Sequence, residues 1–159
     1  MSENNYQAVV AAPGFALGIR CSDDEITAID FIEPRPEQAP TTPLAAEAVR
    51  QLHAYLADPN FVFGLPLRPA GTTFQRRVWD QISAIPAGQT HTSGQLAKNL
   101  KNAPRAVGQA CGANPYPLVI PCHRVVATGG GMGGFARERG GFLLDIKRWL
   151  LTHEGSLPR

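Results

Sequence analysis

Apolar positions along this chain change period between its two halves. Phe15, Leu17, Ile19 and Cys21 alternate with Ala16, Gly18 and Arg20, the two-residue period of a strand with one side on a core. Ser22, Asp23 and Asp24 form a turn cluster, and residues 25–32 read as the returning strand of a hairpin. A connection rich in proline (Pro34, Pro36, Pro40) ends at Thr42-Pro43, where Thr can cap a helix and Pro fits its first turn. Leu44, Ala48, Leu52, Tyr55 and Leu56 then recur at helical spacing until Asp58-Pro59 stops them.

Gly64, Pro66, Pro69 and Gly71 mark a linker, and beyond it helical periods dominate. Thr72 and Gln75 fit a capping box, followed by an apolar face of Phe74, Val78, Ile82 and Ile85 and the turn Pro86-Ala87-Gly88. A second box, Thr92 and Gln95, opens a short helix with Leu96, Ala97 and Leu100 inward. After Lys101-Asn102-Ala103, Pro104 opens a third helix through Arg105, Val107 and Ala110 toward Gly112. Residues 142–152 form a last helix, with Phe142, Ile146, Trp149 and Leu150 apolar and Lys147 and Arg148 exposed. The expectation is an α/β (α+β) chain of two domains: residues 1–72, a sheet with a helix and a linker, and residues 73–159, mainly helical.

At 159 residues the chain can bury a core without disulfide or metal staples. No apolar run approaches the roughly 18 residues of a membrane helix. The start, MSENNYQAVV, lacks the basic residues of a signal peptide, so a cytoplasmic protein with no membrane partner is expected. Cys21, Cys111 and Cys122 are odd in number and form no CxxC, which argues against a disulfide framework. Charge is divided: residues 1–72 carry a net −5 and residues 73–159 a net +7. The second half has the sign that suits a polyanion such as nucleic acid, although solvated faces of either sign are common.

Two short helices joined by a tight polar turn resemble a helix-turn-helix. Most such pairs are structural, but the second helix carries Ala106, Gly108 and Ala110, small residues that let a backbone lie close to a duplex. Chemistry concentrates in the run from Asn114 through PCHRVV. Three prolines stiffen the approach to Cys122, and His123 and Arg124 beside it favour thiolate. Help of that kind is needed, because at a reference pKa of about 8.5 only about 3% of a thiol is ionised at pH 7. In an extended strand Cys122 and His123 would face opposite ways, so they can cooperate only if the chain turns there or a water bridges them. No other His or Cys stands at zinc-ligand spacing, and Glu154 is a candidate orienter of His123, although its composition-level reading is a surface residue. Gly129, Gly131 and Gly134 mimic a dinucleotide fingerprint, but the run from Phe135 to Gly141 does not open a helix, and a flexible loop is expected.

With FQRRVW upstream, RAVG and NP before PCHRVV, and KRWLLTHEG after it, the chain resembles the O6-alkylguanine-DNA alkyltransferases over residues 73–154. The resemblance implies a ribonuclease H-like amino-terminal domain and direct reversal of damage in double-stranded DNA. An alkyl group leaves the O6 of a flipped-out guanine, or O4 of thymine, for Cys122 and is never removed. It implies a monomer that needs neither cofactor nor metal. His123 would take the thiol proton through a water and be oriented by Glu154, and Asn114 would brace the turn. Arg105 would fill the gap left by the flipped base, with Ala106, Gly108 and Ser93 also against DNA. Val125, Phe135, Ala136, Cys111 and Lys147 would form the alkylguanine pocket. Ser93 and Phe135 stand where the family has tyrosines, and Ala136 where it often has serine. A binding-only relative, a helix-turn-helix regulator and a cysteine hydrolase are the alternatives; the first characteristically lacks the Cys.

Overall fold

The computed structural model describes residues 5–127 and 141–157. The expected glycine loop, with Gly129, Gly131, Gly134, Phe135, Ala136 and Arg137-Glu138-Arg139, lies outside them. The chain forms two compact units, Met1–Pro69 and Ala70–Arg159.

In the first unit β1 (Ala8–Ala12), β2 (Phe15–Cys21) and β3 (Ile26–Ile32) make an antiparallel sheet in that order. β1 has no counterpart in the sequence reading, because AVVAA is a short apolar run without alternation. It pairs with β2 from Ala8↔Ile19 to Ala12↔Phe15, and Gly14, at φ 85°, supplies the left-handed position of the two-residue turn. β2 is covered on both faces rather than one: Ala16 and Leu17 are both fully buried. The ring of Tyr6 lies so close to Gly18 that an added Cβ would meet it at 2.4 Å. α1 (Pro43–Ala57) packs on β1 and β2, and Thr42 caps it by accepting from the Ala45 N–H at 3.1 Å.

The segments without periodicity cover both edges of this sheet. Gln38 in the proline-rich connection exchanges two 3.1 Å backbone bonds with Val9 of β1. On the other side Ile26 of β3 donates to Pro66 and accepts from Arg68, at 2.8 and 2.9 Å, so the supposed linker is sheet here. Covered edges do not recruit foreign strands. Buried Gln51 of α1 anchors the return by exchanging two bonds with Gly64, at 2.9 and 3.1 Å.

The second unit is helical around a small two-stranded ladder. Both capping boxes form as the spacing requires, on α2 (Thr73–Ser83) and α3 (Ser93–Leu100). α4 (Pro104–Gly112) packs on α2 and α3, giving the helix-turn-helix arrangement. Trp79 of α2 donates its Nε1–H to the Ala110 carbonyl at 2.9 Å, locking α2 to α4. The turn between α3 and α4 is a Schellman closure. Asn102 N–H reaches the Ala97 carbonyl at 2.9 Å, and Lys101 stands at φ 56° where glycine is usual. β4 (His91–Thr92) pairs in parallel with β5 (Val125–Val126). Thr92 is also the cap of α3, so the ladder ties the start of that helix to the residues after Cys122.

α5 (Gly141–His153) closes the unit, and its inward face differs from the expected one. Leu144, Lys147 and Leu151 share a stripe at i, i+3 and i+7, and all three are buried along with Ile146 and Leu150. Phe142 and Trp149 are only partly buried, Arg148 is exposed as expected, and Lys147, expected in solvent, is 1% exposed.

Candidate active site

Between Asn114 and Val125 the backbone is fixed at nearly every step. Asn114 Oδ1 accepts from the Tyr116 N–H at 2.8 Å, and its Nδ2 donates to the Ile120 carbonyl at 2.9 Å. Ile120 N–H reaches the Tyr116 carbonyl at 2.9 Å around Leu118, which takes φ 76° while its side chain is buried. A left-handed leucine costs about 1–2 kcal/mol, supplied here by the packing that surrounds it.

Cys122–Arg124 form a single 3₁₀ turn instead of the extended strand considered from the sequence. Cys122 is 4% exposed, and its Sγ accepts from Asn114 Nδ2 at 3.3 Å. Burial and a hydrogen bond to Cys111 push its thiol well above the ordinary range, the bond to Cys111 being the larger cause; Asn114 and Lys147 oppose them. The expected push toward thiolate from the adjacent His123 and Arg124 is therefore absent from the resting site, because both side chains are turned to Glu154.

Glu154 is not the surface residue its composition suggested. It follows the last turn of α5, bonding Leu150 through its own N–H, and its carboxylate is fully buried. Oε2 meets His123 Nε2 at 2.8 Å, while Arg124 spans both oxygens at 2.9 Å and sends its remaining nitrogen to the Ile85 carbonyl at 2.7 Å. Desolvation lowers the His123 pKa against the raising effect of Glu154, which makes a neutral ring the resting form. With Nε2–H donating to the carboxylate, Nδ1 carries the lone pair, and it is buried with no hydrogen-bond partner among the described residues. From the sequence Arg124 had only the expected role of favouring thiolate; its bonds to Glu154, 30 residues on, had no signal there.

Lys147 completes the cluster from α5 by donating Nζ–H to the Val125 carbonyl at 2.8 Å. Desolvation pulls its pKa down to about 8, against the raising influence of Cys111 and Cys122. Cys111, partly buried near the end of α4, has its thiol pKa lowered by the hydrogen bond from Cys122 and by the Lys147 charge. Thus Asn114, Cys122, His123, Val125, Lys147, Cys111 and Glu154 form one cluster. Ser93, Arg105, Ala106 and Gly108 belong to the helix pair. Arg105 and Gly108 are exposed, Ser93 and Ala106 partly buried, and a Cβ on Gly108 would meet nothing within 4 Å. The fold itself does not require a glycine there. Among the described residues no group of three His, Cys, Asp or Glu could hold a metal ion, and no helix is long and apolar enough to cross a membrane.

A buried cysteine braced on a rigid turn, beside a His-Glu pair and near a helix-turn-helix, defines the class to which known proteins can be compared. The family described as 6-O-methylguanine DNA methyltransferase, DNA binding domain, matches residues 73–156. A methylated-DNA--protein-cysteine methyltransferase of Methanosarcina acetivorans is 46% identical over 112 residues, 69% of this chain and 69% of the relative. The constitutive enzyme of that name from Bacillus subtilis is 35% identical over 158 residues, 91% of this chain and 96% of its own. Among solved structures, Mycobacterium tuberculosis OGT in complex with DNA superposes with a TM-score of 0.78 at 32% identity, over 93% of this chain and 91% of that one. The chain belongs to the methylated-DNA--protein-cysteine methyltransferase family. Membership makes it a DNA-repair methyltransferase whose acceptor is a cysteine of its own.

Proposed function

We propose that Cys122 is that acceptor, taking an alkyl group from the O6 of guanine in duplex DNA by direct displacement. The observation that carries this reading is the 3₁₀ turn: it holds the Asn114-bonded sulfur and a neutral histidine, backed by buried Glu154, on consecutive residues. In the resting site the thiol keeps its proton, so reaction begins with its removal. His123 Nδ1, reached through a water, is the acceptor, and Glu154 stabilises the imidazolium that results. The sulfur then attacks the alkyl carbon, the carbon–oxygen bond breaks with its electron pair going to guanine, and the anion takes a proton at N1 from water, restoring its hydrogen-bonding edge. A thioether is no leaving group under these conditions, so each molecule acts once.

Reaching Cys122, only 4% exposed, requires the damaged nucleotide to leave the stack. We assign Arg105 to the gap it vacates, with Ala106, Gly108 and Ser93 on the helix surface that meets the groove. The pocket is assigned to Val125, whose carbonyl Lys147 holds, with Cys111 and the residues Phe135 and Ala136. O4-alkylthymine is a further substrate on this reading, and the cytoplasm is the compartment in which the protein works.

Mass spectrometry of the protein after mixing with a duplex containing one O6-methylguanine tests this. One added methyl on the peptide holding Cys122, saturating at one per protein and lost in Cys122→Ala, is expected. Binding without any mass change would overturn it.

A further inference from the structure

The reading of His123 as the group that takes the Cys122 proton leaves one charge beside it without a task. Arg124 is the next residue of the same 3₁₀ turn, and its side chain is 11% exposed. All three of its nitrogens are engaged: Nε donates to Glu154 Oε1 at 2.9 Å, Nη2 to Oε2 at 2.9 Å and Nη1 to the Ile85 carbonyl at 2.7 Å. The bond to Ile85 fixes the plane of the guanidinium, so both nitrogens of the fork stay on the carboxylate. Oε2 is thereby shared between Arg124 and His123 Nε2, the latter at 2.8 Å.

We propose that Arg124 is a positioning residue for the transfer: by holding Glu154 as a carboxylate it keeps His123 Nδ1 free of hydrogen and able to accept the thiol proton. A buried carboxylate needs a compensating positive charge close by. Arg124 supplies one that does not dissociate, so the His-Glu pair needs no proton from solvent. Without Arg124 the pair draws one in. It goes to Nδ1 in both arrangements that strand no hydroxyl: an imidazolium facing the carboxylate, or a carboxylic acid donating to Nε2 with the ring in its other tautomer. Either one removes the lone pair that the proposed transfer uses. Burial above all, then Arg124 and Lys147, oppose a charge on the ring, and Glu154 favours it. The turn packs on α2 and α5. Among the described residues, the other charged side chains of those helices, Arg76, Arg77 and Asp80 on α2 and Asp145 and Arg148 on α5, are exposed, and His153 is stacked on Trp149.

Imidazole nitrogen NMR of the full protein reads this with no DNA present, His123 being assigned by its loss in His123→Gln. In the wild type at pH 7 a bare Nδ1 and a protonated Nε2 are expected, and a hydrogen on Nδ1 there overturns the proposal without any variant. In Arg124→Gln, Nδ1 should lose its hydrogen at a pH about one unit or more above the wild type. Single-turnover methyl acceptance from saturating O6-methylguanine duplex should then fall about tenfold on the acid side and recover as pH rises. Arg124→Lys, which keeps the charge, should restore most of the rate. A uniform loss at every pH marks a merely structural role and overturns the proposal. A shifted Nδ1 with an unshifted rate profile overturns instead the use of His123 as the base, the reading on which the role of Arg124 in transfer rests.

Discussion

Glu154 accepts three charge-assisted bonds without any exposure of its side chain, and this makes it the most sensitive residue of the cluster. Removing one partner from a buried ion pair costs about 3–5 kcal/mol, since the other charge stays buried. Glu154→Gln should therefore lower stability by that amount, read as a lower urea midpoint, and should slow methyl acceptance beyond what unfolding explains. Lys147 makes the opposite kind of contribution. Its folded pKa of about 8 lies below the free lysine value of 10.5, so the unfolded state binds more protons in that interval. Its burial penalty is full below pH 8, on the order of 3 kcal/mol, and disappears as pH rises toward 10.5. Unfolding free energy should rise across that window in the wild type relative to Lys147→Met, which carries no such charge; parallel curves would remove the assignment. Cys122, His123 and Asn114 were legible because their chemistry sits in one short motif. The burial of Lys147 was legible in principle, as the member of the stripe shared by Leu144 and Leu151, but an exposed cation was the reading its charge invited. Arg124 and Glu154 meet only through the tertiary fold.

Helix boundaries were the most legible elements, because capping chemistry is local. Thr42, Thr72 and Thr92 each cap the helix they precede, and the two Gln partners reach back as the spacing requires. β1 and the sheet-edge segments around Gln38 and Leu67 were not legible. β1 is a short apolar run without alternation, and the two segments pair with Val9 and Ile26 far along the chain, with no periodicity of their own to announce it. The turn between α3 and α4 was legible as a turn, but the left-handed Lys101 at its apex was not. A side chain in that conformation costs about 1–2 kcal/mol that glycine avoids. Lys101→Gly should raise the thermal midpoint of the protein, a gain of up to about 1 kcal/mol after the entropy glycine loses on folding. An unchanged or lower midpoint would mean that contacts of the Lys101 stem outweigh its backbone strain.

Across the molecule, the charge division runs with function as proposed: the chain from residue 73 onward, net +7, carries both the helix pair and the cysteine cluster. Phosphate contacts release counterions, so affinity for duplex DNA should fall linearly in log salt. Arg105→Ala should weaken repair of duplex far more than acceptance from a free alkylguanine base, because only the duplex requires a nucleotide to be extruded. If Arg105 also meets phosphate, its loss lowers the salt slope by about one.

The cluster is also drawn from distant stretches of the chain: Ile85 holds Arg124, Arg124 holds Glu154, and Glu154 stands after the last turn of α5. During synthesis, then, the Cys122 thiol is made 32 residues before the Glu154 carboxylate that bonds its neighbouring histidine. A chain that stops anywhere in that interval holds Cys122 and His123 without the carboxylate that pairs with the imidazole. Arg124 would lack its partner as well, so the buried ion-pair cluster can close only once residue 154 has been added.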